Sequence, residues 1–153
     1  MEEDSLDYLE EAKKRIIKLK DKVFLMIVAP NRIIELAKEI FHQLDNLTKD
    51  ITHFFLFVDM SELKYKGDVN YRRFIRSNLL ERRNKLAALV FILNRNIFLR
   101  TFISFLLGMN MPIPAYLVAS IDDAWNLMSE KFNDYEFPNH NIERQNNLEI
   151  YKK

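Results

Sequence analysis

The chain has 153 residues, 48% of them apolar and 29% charged, which is enough for one domain with a substantial core and argues against bulk disorder. Two glycines and no cysteine exclude a dinucleotide fingerprint, a phosphate-cradling P-loop, disulfides, thiolate metal sites and cysteine nucleophiles. The formal charge of +1 hides a segregation: residues 64–100 hold ten Lys or Arg against Asp68 and Glu81, an excess of +8, so the remainder carries −7. No signal-like apolar segment opens the chain and no run approaches the roughly 20 apolar residues of a membrane span. A cytoplasmic protein without a transmembrane segment is the expectation.

Residues 2–14 place six carboxylates ahead of the first base and then give Lys13, Lys14 and Arg15, an order that suits a helix dipole. Two β-like runs follow, 15–20 and 22–29, with Asp21 between them. A single helix over residues 4–21 is the competing reading. From Ile33 the spacing turns helical, with Ile33, Leu36, Ile40, Leu44 and Leu47 on one side. His53 to Val58 reads as a buried strand ending at Asp59-Met60-Ser61. After a loop around Gly67, a helix from about Val69 to Arg83 buries Tyr71, Phe74, Ile75 and Leu79. Leu86 to Leu93 is the most apolar strand, Asn94 to Leu107 a helix, and Ala115 to Ala119 a strand.

The last helix, Ile121 to Phe132, has the clearest terminus: Ser120 can accept from the N–H three residues on, with Asp122 and Asp123 at the positive end of the dipole. Beyond it the asparagine-rich stretch 133–153 reads as a polar tail. Residues 1–14 form a helical extension and 15–132 a single α/β domain. Continuous apolar strands joined by helical crossovers imply a sheet with a parallel part.

The C-terminal half carries a family resemblance. Leu86-Ala87-Ala88-Leu89-Val90-Phe91, Asn94-Arg95-Asn96, the apolar segment to Leu107, Pro112 to Tyr116 and Ser120-Ile121-Asp122-Asp123-Ala124-Trp125 together resemble the stand-alone STAS-like family. That family is related to anti-sigma-factor antagonists and sometimes grouped with lipid-binding CRAL-TRIO domains. Val58-Asp59-Met60-Ser61 is similar to it as well. The resemblance implies a four- or five-stranded mixed sheet with helices mainly on one side, and a non-enzymatic interaction or regulatory module. In anti-sigma antagonists a phosphorylatable serine opens the helix after the Asp-x-Ser strand end; here that place reads Lys66-Gly67-Asp68-Val69-Asn70, without Ser or Thr. Asp68 suits a helix cap there.

Three surfaces remain as candidates. Arg72, Arg73, Arg76 and Arg83 recur at helical spacing and gather on one side, a basic face fit for an acidic protein partner, a second copy in a homodimer, or an anionic ligand. No nucleic-acid motif accompanies it, so no nucleic acid is expected. Asp59, Ser61, Asp68, Asn70, Asn94 and Arg95 fall at strand ends and loops, where α/β sheets place ligands. Phe98, Phe102 and Phe105 belong to a helix apolar over most of its circumference, a surplus that suits further packing, dimerisation, or lipid contact. Lipid or small-molecule carriage is therefore the alternative function. His42, His53 and His140 lack metal-pair spacing, and no nucleophile elbow accompanies Ser61, so neither metal, cofactor nor catalytic residues are expected.

Overall fold

The computed structural model describes residues 2–29, 33–62, 69–93 and 112–132. Helix α1 spans Glu2–Arg15, with its bases in the last turn. The chain then turns directly into strand β1, Ile16–Lys20, and returns as β2, Val23–Ile27. The competing single helix is thus replaced by a helix and a hairpin. A two-residue connection, Asp21-Lys22, joins the strands, and Lys22 takes the left-handed conformation with φ 69°. A right-handed strand twist favours positive φ in so short a hairpin turn, even where glycine is absent.

Helix α2, Ile34–Thr48, buries Leu36, Ala37, Ile40, Phe41, Leu44 and Thr48. Leu47, expected on that stripe, is 45% exposed, because it lies at the rim of the buried arc in the last turn. Strand β3, Phe54–Asp59, is buried at every position. Helix α3, Val69–Glu81, buries Tyr71, Ile75 and Leu79 and packs Phe74 part-buried against the same core. It ends two residues before Arg83, which belongs to the turn leading into β4, Leu86–Ile92. Strand β5 is Ala115–Val118, and helix α4 runs Ile121–Lys131. Ser120 caps α4 as expected: its hydroxyl accepts from the Asp123 N–H at 3.2 Å.

The strands form one five-stranded sheet in the order β1-β2-β3-β4-β5, antiparallel between β1 and β2 and parallel thereafter. This is the mixed α/β sheet that the alternation of apolar runs and helices predicts. Strand order follows chain order, so right-handed crossovers that all step the same way put their helices on the same face. Accordingly α1, α2 and α3 share one core with Phe24, Met26, Val28, Leu56, Val58, Leu89 and Phe91. Helix α4 closes the other face, where Ile121, Ala124, Trp125 and Met128 meet Val23, Leu25, Phe55, Phe57, Val90 and Ile92. Trp125 meets Phe57 edge-on at 5.2 Å, and Phe132, just past α4, meets Phe55 at 5.0 Å.

Candidate functional site

At the carboxyl end of the sheet the parallel ladder continues one residue past β2 and β3. The Val28 N–H donates to the Asp59 carbonyl and the Met60 N–H to the Ile92 carbonyl, each at 2.9 Å. Asp59 is 3% exposed, and its Oδ1 accepts from the Ser61 N–H at 2.9 Å. A carboxylate bonded to the N–H two residues on is the turn that Asp forms at a strand end. The Asp59 carboxylate and the Ser61 backbone are therefore used in ending β3. In open α/β sheets, ligands settle where strand order reverses and the helices on either side part to leave a crevice. The sequential order of β2 to β5 has no such reversal. Asn70 lies exposed on the first turn of α3, while Asp68, Asn94 and Arg95 fall outside the described residues, as do Phe98, Phe102, Phe105, the expected helix 94–107 and the tail 133–153.

The basic segment is sorted by the fold into inward and outward arginines. Arg73 is exposed on α3, Arg76 is half-buried on the same helix, and Arg83 is exposed in the turn that follows. Arg72 lies on α3 with its side chain outside the described set. Arg83 donates to the Leu80 carbonyl at 3.0 Å, which fixes its position without using its charge. Among the described residues, neither Arg73 nor Arg83 makes an ion pair.

Arg82, by contrast, faces inward and joins two helices. Its Nε and Nη2 donate to the two carboxylate oxygens of Asp45 on α2, at 2.7 and 2.8 Å. Nη1 donates to the Asn78 carbonyl at 2.7 Å, and the guanidinium lies 4.7 Å from the centre of the Phe41 ring. A planar fork suits this double duty, pairing with a carboxylate while stacking on an aromatic face. The sequence carried the signal: Arg82 continues the Ile75 and Leu79 stripe at i+4 and i+3 spacing, which turns it toward the core. Lys85 adds a second link between the same regions, its Nζ donating to the Thr48 carbonyl at 2.5 Å.

The two described acids of the N-terminal helix pair close by. Glu10 pairs with Lys13 and Glu11 with Arg15, both within α1. Arg15 also donates to Glu62, in the turn after β3. Burial alone would lower the Arg15 guanidinium, but its hydrogen bonds to Glu62 and Glu11 outweigh that and hold it above its ordinary value. None of these described pairs reaches the outward arginines.

Between β2, α2 and α3 lies an apolar cavity of about 10 Å³, lined by Met26, Val28, Ala37, Ile40, Phe41, Tyr71 and Ile75. That is room for about one water molecule, and far below the roughly 300 Å³ at which small-molecule pockets begin. Among the described residues no cluster of three or more His, Asp or Glu is arranged to hold a metal ion. No described helix is long and apolar enough to cross a membrane. Compared with models of known protein families the chain matches none, and no curated protein matches its sequence.

Proposed function

We propose that the chain is a cytoplasmic, non-enzymatic interaction module of STAS-like type, and that it docks an acidic protein surface through the outward arginines of α3 and the turn after it. The observation that carries this reading is the division of the basic segment. Arg82 is consumed in holding α2 to α3, whereas Arg73 and Arg83 stand exposed without an ion pair among the described residues. An intramolecular screen by the acidic N-terminal helix would give those arginines a bland role. The described carboxylates of α1 instead engage Lys13 and Arg15.

Two further features support the reading. The hairpin followed by parallel strands in chain order is the mixed sheet that the STAS-like resemblance implies. Asp59, the buried carboxylate at the end of β3, is occupied in closing a turn. Exposed cations chiefly set orientation and association rate, so the interface should be salt-sensitive.

The test is capture of partners from the cells that make the protein, comparing the native chain with the double variant Arg73→Glu, Arg83→Glu. A control, Lys14→Glu with Lys38→Glu, changes the net charge equally at exposed sites on α1 and α2. The reading expects the first pair to lose capture at least about tenfold and the control to retain it. Equal loss from both pairs would reduce the effect to net charge; retention by both would end the proposal.

A further inference from the structure

The two edges of the sheet are built with opposite chemistry. At one edge β1 reads Ile16-Ile17-Lys18-Leu19-Lys20, followed by the charged turn Asp21-Lys22, and its register with β2 is broken between Lys18 and Lys20. Lysines and an irregular register are the devices that keep an edge strand from pairing with another chain. At the other edge β5 reads Ala115-Tyr116-Leu117-Val118, within a stretch from Pro112 to Ile121 that holds no charged residue. Leu117 is 40% exposed there, one of two large apolar side chains among the described residues left so open.

Backbone direction identifies which groups face outward. The Leu89 N–H donates to the Pro114 carbonyl and the Leu93 N–H to the Val118 carbonyl, so even-numbered residues turn their polar groups to β4. Alternation along a strand then sends those of Ala115, Leu117 and Ala119 away from the sheet. Among the described residues no strand pairs with them.

We infer that the β5 edge pairs with the same edge of a second copy, antiparallel about a two-fold axis, to make a continuous ten-stranded sheet. Such an axis preserves the faces, so only residues of like parity can stand opposite. In the register centred on Leu117, Leu117 faces its own counterpart and exchanges both backbone hydrogen bonds with it. Ala115 then faces Ala119, and Tyr116 faces Val118. Every facing pair is uncharged, and Tyr116 opposite Val118 is the aromatic-on-β-branched contact that stabilises antiparallel pairs. A second copy pairing through β1 would instead bring Lys18 and Lys20 against lysines. The absence of charge makes β5 a fit for itself, and the inference does not depend on the basic-face reading. A ladder this short falls below the roughly 1,000 Å² of a lasting interface, so the dimer forms and dissociates with concentration.

The test uses the full chain in sedimentation velocity over a concentration series, beside Leu117→Lys. The native chain should pass from monomer to dimer, and Leu117→Lys should stay monomeric with an unchanged circular dichroism spectrum. Because the chain has no cysteine, Leu117→Cys gives a clean second reading. Facing residues in such a pair stand about 5.5 Å apart, within disulfide reach. Mild oxidation should link Leu117→Cys into dimers at least about tenfold faster than Lys18→Cys on the opposite edge. A native chain monomeric at every concentration, or equal cross-linking from the two edges, would overturn the inference; the former would assign the β5 edge to cover from within the same chain.

Discussion

On one face of the sheet three helices, α1, α2 and α3, share the work of excluding water; on the other, among the described elements, α4 closes it with eleven residues. The crowded face can spread its contacts and adds a polar clamp, Arg82 between Asp45 and Phe41, that fixes how α2 lies against α3. The sparse face concentrates its packing in one ring, Trp125, which is 1% exposed and meets Phe57 edge-on. Among the described elements, α4 covers these strands with its largest side chain at the centre. Among the described residues its indole N–H has no hydrogen-bond partner, so what they supply to Trp125 is area and shape.

Breaking this contrast should be easiest at the ring. Trp125→Ala should cost about 3–5 kcal/mol, the range for removing a buried aromatic side chain, read from denaturant unfolding of the full chain. Leu44→Ala, equally buried on α2, should cost less, because neighbouring helices on that face can close part of the void. A larger loss at Leu44 than at Trp125 would invert the comparison. The clamp sharpens the same contrast at smaller scale. Arg82→Ala should lower stability by about 1–2 kcal/mol, from lost hydrogen bonds to a charged group and lost contact with Phe41. The deficit should appear mainly as faster exchange of amide hydrogens in α2 and α3, with α4 unchanged.

The strands were legible because their apolar runs are continuous, and the same continuity explains why helices lying mainly on one side still leave one helix for the other face. A sheet with helices on a single face alternates apolar and polar residues, whereas β3 is buried at every position from Phe54 to Asp59. Phe55 and Phe57 required a cover, and the Ile121-Ala124-Trp125-Met128 spacing of α4 was it. The Ser120 cap was legible for a different reason, since capping is decided within four residues. The basic segment was harder. Counting arginines at helical spacing grouped Arg83 with Arg73, but α3 ends at Glu81, and Arg82 takes the inward place. Charge alone does not separate a cation that braces the core from one that faces solvent; position relative to the Tyr71, Ile75 and Leu79 stripe does.

The central claim is that the outward arginines form the docking surface. Hydrogen–deuterium exchange of the full chain, with and without its captured acidic partner, tests it most directly. Docking through this surface predicts new protection in α3 around Arg73 and in the turn around Arg83, weakening as salt is raised, with α4 unaffected. Protection confined to the carboxyl ends of β2 and β3, or insensitive to salt, would contradict it.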